Sequence, residues 1–264
     1  MPTVEFDIDE LNEGIGKKLS EKELREIVPM IGVGLESIAD GKLIIEVFPN
    51  RPDMLSIEGF THAFRGFLGI ETGMKELTVR NSDVKLFVDS SVKNVRPFVV
   101  AGMIKNVEID NKKLISIMNV QEKLHLTHGQ NRKKVAIGVH DMDKVNAPFF
   151  YKAVKPEAVS FVPLDMSKEL NLKQILQQHP KGRDYAYTLE GFEKYPVIVD
   201  GKNNVLSFPP IINGELTRVT EETRNLFMEL TGTNQHALEI ALNIVVSSIA
   251  DSKVDVYSVE IIKK

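Results

Sequence analysis

Alternating strand-like runs and helical stripes follow one another in no fixed order along this chain, and that irregularity limits its fold more than any other feature. A regular strand–helix alternation would predict a doubly wound parallel sheet. The irregular succession predicts a mixed-sheet α+β protein instead. Val4-Glu5-Phe6-Asp7-Ile8 alternates as a strand, and Asp9 is placed to cap a short helix. Ser20 with Glu23 reads as a capping box opening a helix with the stripe Leu24, Ile27, Val28 and Ile31, which Gly32 and Gly34 end. Strands are expected around Gly34–Ala39 and Leu43–Phe48. Pro49-Asn50-Arg51-Pro52-Asp53 is a stiff turn, because each proline fixes its own φ and restricts its predecessor. Asp53 is placed to cap a helix carrying Ile57, Phe60, Phe64 and Phe67 on one face, with Gly69 closing it.

Residues Ile70–Ser82 are rich in turn formers and poor in periodicity. They predict a linker over 70–81 between a small N-terminal α/β domain, 1–69, and a larger mixed-sheet domain, 82–264. In the larger domain, strands are expected at Val84–Val88, Phe98–Val107, Val135–His140, Phe149–Val154, Val197–Val199, Val205–Pro210, Leu226–Leu230 and Val254–Ile261. A helix over Asn111–Leu126 has the stripe Leu114, Ile117, Met118, Gln121 and Leu124. Leu170–Gln178 is a short helix, and Thr233 is placed to cap a long one with Leu238, Ala241, Ile244, Val245 and Ile249.

Several chemistries are excluded. The chain has no cysteine, so disulfides, thiolate metal sites and a cysteine nucleophile are absent. Net charge is −4, which argues against a general nucleic-acid coat protein and leaves room for a local basic patch. No apolar run reaches the ~20 residues of a membrane span, and no signal pattern opens the chain, so a cytoplasmic protein is expected. Gly14-Ile15-Gly16 lacks the third glycine of a dinucleotide loop. Asp141-Met142-Asp143 with Asn146 lacks the glycine of a calcium loop and has Lys152 where the bidentate Glu belongs. His125 and His128 lie one helical turn apart without a third ligand, so no metal site is expected. There is no Gly-x-Ser-x-Gly elbow.

Three stretches point further. Asn50-Arg51-Pro52-Asp53-Met54-Leu55-Ser56-Ile57-Glu58-Gly59 resembles the Asn-Arg-Pro-Asp-x-x-Ser/Cys-x-x-Gly signature of the phenylalanyl-tRNA synthetase β-subunit family. Val120–His125 with Arg132–Asp141, and Tyr195–Asp200 with Leu206–Gly214, resemble its archaeal and eukaryotic branch. The run Thr223–Thr233 completes a colinear match along the chain. The resemblance implies an α₂β₂ enzyme that joins phenylalanine to its tRNA with ATP and Mg²⁺ at a class II centre on the α subunit. The β subunit begins with a small domain followed by a B3/B4 domain, the editing module that hydrolyses tyrosine wrongly attached to the tRNA. This chain is expected to be an N-terminal fragment that needs no cofactor of its own and does not aminoacylate alone.

The expected partners are the acceptor end of tRNA(Phe) and, in the full enzyme, the α subunit. Glu229, which period two places with Phe227 and Thr231, opposite Leu226, Met228 and Leu230, is either a solvent-facing carboxylate on a half-exposed strand or, as the acidic residue that the family carries at the matching position implies, the candidate acceptor for the tyrosine hydroxyl. Gln121, in the apolar stripe of its helix, is either a core amide tied to backbone or, as the resemblance implies, a pocket residue; Gln121 and Asn213 are the candidates for placing water. Arg132 either holds a phosphate or the terminal ribose or is a solvated charge. Ser207, Pro209-Pro210 and Asn213 form a stiff polar loop. Ile198 is either a ring contact or core, and Thr231 either orients the substrate amine or ends its strand. Arg132-Lys133-Lys134, with Lys112, Lys113 and Lys123, either meets the tRNA or forms a solvated face. Two other readings stay open: a non-catalytic tRNA- or subunit-binding module, and a structural arm that has lost editing.

Overall fold

The computed structural model describes residues 2–73, 76–250 and 254–263. Met74 and Lys75 of the predicted linker, and the domain limits Met1 and Lys264, lie outside the described residues.

The chain opens with β1 (Thr3–Asp7), α1 (Ile8–Ile15), α2 (Glu21–Ile27), β2 (Gly34–Ala39), β3 (Lys42–Glu46) and α3 (Ile57–Phe67). The strands form an antiparallel sheet in the order β1-β3-β2. Ser20 and Glu23 make the capping box of α2. Asp7, not Asp9, caps α1: it is the last extended residue, and its carboxylate accepts from the amides of Asp9 and Glu10. Ser56, not Asp53, caps α3, because Arg51 takes the Asp53 carboxylate in a two-point contact at 3.0 and 2.7 Å. Phe60 and Phe64 are fully buried, whereas Phe67, in the last turn, is 45% exposed.

The second part contains β4 (Val79–Val88), β5 (Phe98–Lys105), α4 (Asn111–Leu126), β6 (Val135–Asp141), β7 (Phe149–Val154), β8 (Ser160–Phe161), β9 (Leu170–Asn171) and α5 (Leu172–Gln178). It continues through α6 (Pro180–Tyr185), β10 (Tyr195–Val199), β11 (Val205–Phe208), β12 (Ile212–Asn213), β13 (Leu226–Gly232), α7 (Gln235–Ile249) and β14 (Asp255–Lys263). β4 begins three residues inside the predicted linker, where it pairs with β14 at Val79↔Val256. The short helix predicted from Leu170 starts at Leu172, because Leu170 and Asn171 pair with β8 first. Asn234, not Thr233, caps α7.

Among the described residues, nine strands form one sheet in the order β12-β11-β10-β7-β4-β14-β5-β13-β6. β4 runs parallel to β7 and β14; the other pairs are antiparallel, so the sheet is mixed. The sheet curls until its two ends face each other. Ser207 on β11 bonds Glu229 on β13, and Asn213 on β12 donates to the Val139 carbonyl on β6 at 3.4 Å. Inside the curl lies an apolar cluster with Leu86, Phe149, Tyr151, Ile198, Leu206 and Phe227, in which Phe149 and Phe227 stack at 4.2 Å.

α4 and α7 cover the outer face of β5, β13 and β6. Their core is continuous with that of the N-terminal sheet: Leu11, Phe60 and Phe64 share one cluster with Ile117, Met228 and Leu238. The buried stripe of α4 is Ile117, Val120 and Leu124 with His125, while Met118, expected inside, is 59% exposed. That rotation leaves Gln121 half-buried at the helix edge that faces the seam of the sheet.

Candidate functional site

A cavity of about 440 Å³ opens at the seam, between α4, the β6–β13 pair and the loop joining β11 to β12. β13 is buried on both faces because it is flanked by β5 and β6 and covered by helices outside. Leu226, Met228 and Leu230 enter the core shared with the helices, and Phe227 enters the inner cluster. Glu229, on the same face as Phe227, is 2% exposed and lines the cavity. Its strand neighbour is Gly138 on β6, where a Cβ would run into the carboxylate and the His140 ring. Glycine at 138 therefore makes the room that Glu229 occupies.

Ser207 donates its hydroxyl to Glu229 Oε1 at 2.8 Å, whereas Oε2 is buried and has no protein partner. Gln121 donates from Nε2 to the Ile137 carbonyl at 2.7 Å, and Asn213 bridges to Val139. Both line the cavity with Glu229, Ser207 and Arg132. Arg132 is buried, so it is not a solvated charge. Its guanidinium donates to the Ile211 carbonyl at 2.8 Å and to Glu122 at 3.0 Å and lies 4.3 Å from the Tyr185 ring centre. It thereby fastens the Pro209-Pro210 loop to the end of α4, and Nε alone is without a protein partner.

Gln130, Asn131 and Arg132 all have positive φ, at 51°, 52° and 66°, a costly run for residues other than glycine. Arg96 holds it in place. This buried guanidinium donates to the carbonyls of Arg132 and Lys133, each at 3.1 Å, and to both the hydroxyl and the carbonyl of Thr231. Burial pushes Arg96 down to about 10, which still leaves it charged at neutral pH.

Ile198 and Thr231 do not line the cavity. Ile198 sits opposite Ser207 in the β10–β11 pair, but its side chain is fully enclosed in the inner cluster. The Thr231 hydroxyl is taken by Arg96 at 2.8 Å. The basic residues grouped in sequence also separate: Lys112 and Lys113 line a second groove with residues of α1, α3 and α7, Lys123 donates to the Thr3 carbonyl, and Arg132 turns inward.

Sequence reasoning missed His140, Glu122 and Lys181. His140 is fully buried beside Glu229, with Nε2 at 3.7 Å from Oε1. The signal was available: two residues after Gly138, it shares that face of β6 by period two. Glu122 and Lys181 meet at 3.2 Å at the cavity wall, on segments 59 residues apart, a pairing that no local pattern shows. The Glu122 carboxyl lies below its ordinary range, owing first to the His125 ring and then to the Arg132 and Lys181 charges. Burial pushes His125 down to about 4, and its Nε2 accepts the Ile137 amide at 2.7 Å. Among the described residues, no three His, Asp or Glu side chains gather to hold a metal ion, and no helix is long and apolar enough to cross a membrane.

Comparison with known proteins places this geometry in a family. The B3/4 domain family matches residues 91–259. The phenylalanine–tRNA ligase β subunit of Methanosphaera stadtmanae is 46% identical over 99% of this chain, which covers 47% of that protein. The β subunit of Methanocaldococcus jannaschii is 46% identical over 100% of this chain, covering 48% of it. The crystal structure of an N-terminal fragment of the phenylalanyl-tRNA synthetase β subunit from Pyrococcus horikoshii aligns with a TM-score of 0.94 at 34% identity, over 100% of this chain and 77% of that one. The chain thus spans about half the length of the curated relatives it matches. It belongs to the phenylalanine–tRNA ligase β-subunit family, corresponds to the N-terminal part of that subunit, and carries its B3/4 domain.

Proposed function

We propose that the cavity edits: it takes tyrosine esterified to tRNA(Phe) and hydrolyses that ester, in support of phenylalanyl-tRNA synthesis by the full α₂β₂ enzyme. One observation carries this reading, namely the buried Glu229 carboxylate with a free Oε2 inside a cavity of about 440 Å³. A pocket shaped for a phenyl ring rejects an isostere that only adds a hydroxyl by no more than about a hundredfold. A second pocket that accepts a hydrogen bond from that hydroxyl discriminates in the opposite sense. Phenylalanine in it leaves a charged acceptor unpaired, which costs at least ~1–3 kcal/mol.

The cavity volume falls within the range of small-ligand sites. Gln121 and Asn213 are anchored by their amide nitrogens to β6, a fixed arrangement suited to placing a water molecule against the ester. The terminal hydroxyl of the tRNA adjoins the same bond, so orientation supplies much of the rate. Ser207 orients Glu229, Arg132 holds the Pro209-Pro210 loop from the cavity wall, and Thr231 acts from behind through its bond to Arg96. The editing step needs no cofactor. ATP and Mg²⁺ belong to ligation in the full enzyme, where the α subunit is the partner, and the site of action is the cytoplasm.

The test is deacylation of Tyr-tRNA(Phe) and Phe-tRNA(Phe) by this chain. The tyrosyl ester is expected to be cleaved faster, and Glu229→Ala should lower the Tyr/Phe ratio about tenfold or more with folding retained, as for loss of a bond to a charged acceptor. No cleavage of either ester by the native chain, with tRNA binding kept, would establish a binding module instead.

A further inference from the structure

His140 is a buried titratable side chain, beside Glu229, that this reaction leaves unused. Its Nδ1 lies 2.8 Å from Thr217 Oγ1, and that hydroxyl lies 3.2 Å from the Gly214 carbonyl oxygen. The Gly214 carbonyl already accepts the Thr217 amide, so the Thr217 hydroxyl is free to give its single proton to Nδ1 over the shorter 2.8 Å contact, and the ring's own proton then sits on Nε2. His140 Nε2 then faces Glu229 Oε1 at 3.7 Å and has no other partner. The gap is too short for a water on the line between them and slightly too long for a formed hydrogen bond, so a small ring or carboxylate rotation closes it.

Two bare acceptors cannot face each other in a buried site without repulsion, and the carboxylate there lacks a close cation. The other ionisable groups around it are engaged elsewhere. Arg96 is bound to Thr231 and to the carbonyls of Arg132 and Lys133, and the Tyr151 hydroxyl donates to the Arg96 carbonyl at 2.7 Å. Arg218, at the rim, is tied to Glu215 and Asp165. The Phe227 ring closes the remaining side at 6.2 Å from the His140 ring centre.

We propose that His140 is a specificity-determining positioning residue: its Nε2 carries a proton to Glu229 Oε1, so that Oε2 alone is presented to the hydroxyl of a bound tyrosyl group. This rests on the editing reading and deepens it. With Oε1 held by both Ser207 and His140, the carboxylate cannot turn. The address for the hydroxyl is then a single oxygen atom.

Nitrogen-15 spectra of the histidine-labelled chain at neutral pH test the contact without any substrate. Nε2 of His140 is expected at the position of a protonated ring nitrogen in the native chain. In Glu229→Gln, whose amide can donate, it is expected to move to that of a bare one. A bare Nε2 in the native chain overturns the proposal. Deacylation provides the second arm. His140→Leu should lower the Tyr/Phe ratio about tenfold, whereas His140→Gln, which keeps an N–H for Oε1, should hold it within about threefold of the native value. A native ratio in folded His140→Leu overturns the proposal, and should that variant not fold, the glutamine variant and the spectra still decide. A native chain inert towards both esters fails the editing reading, and the spectra then judge the His140–Glu229 contact by themselves.

Discussion

Gly138 owes its place to its neighbours, since any side chain there would meet the Glu229 carboxylate and the His140 ring. Gly138→Ala is therefore expected to push Glu229 off its bond with Ser207. Overpacking of this kind costs about 1–3 kcal/mol, measurable by denaturant unfolding, and the Tyr/Phe deacylation ratio should fall with it. His125 makes a second prediction. Its pKa is about 4 in the fold against 6.5 for the free side chain, so the unfolded chain takes up its proton at higher pH than the folded one does. Stability is then lost as pH falls from about 6.5 to 4, by up to about 3 kcal/mol from this group. Urea unfolding across that window should show the slope, and His125→Gln should flatten it. Of the individual site residues, Glu229 was legible because strand periodicity sets its face. The role of Thr231 was not, since the Arg96 that occupies it is 135 residues away in sequence.

At the level of the single element, the Asn50–Gly59 signature has a mechanical explanation. Arg51 clasps Asp53, Ser56 caps α3, and Gly59 lies against the Asp53 carbonyl, where a Cβ would overlap it. Gly59→Ala should cost about 2–3 kcal/mol or more, because the clash is with backbone and no side chain can yield; thermal unfolding would show it. Most elements were readable from periodicity, and α4 and β7 run as expected. The caps of α1, α3 and α7 each fell one to three residues away. Sequence offers several Asp, Ser, Asn and Thr side chains at these places, and only the point where the backbone leaves the extended region selects among them. The exposed Met118 has a similar cause: the stripe of α4 is fixed by where α7 and β6 lie, which helical spacing does not tell.

Across the whole molecule, the three-stranded sheet precedes the segment expected as a linker, the nine-stranded sheet begins in its last three residues, and the buried side chains run on between these two sheets. One cooperative unfolding transition is expected in calorimetry. Phe60→Ala, about 3–5 kcal/mol destabilising, should shift that entire transition, and two separable transitions would refute the shared core. The α+β class was legible from the irregular order of elements, but the curl was not. Nothing local announces that β11 and β13, second and eighth in the sheet, come to share a hydrogen bond.

The position of β14 between β4 and β5 has a consequence for biosynthesis. A ribosome delivers this strand after every other strand of the sheet, so two half-sheets must wait on the nascent chain, each with an open edge, until residues 255–263 emerge. A partly translated chain therefore carries Ser207 and Glu229 on two separate half-sheets.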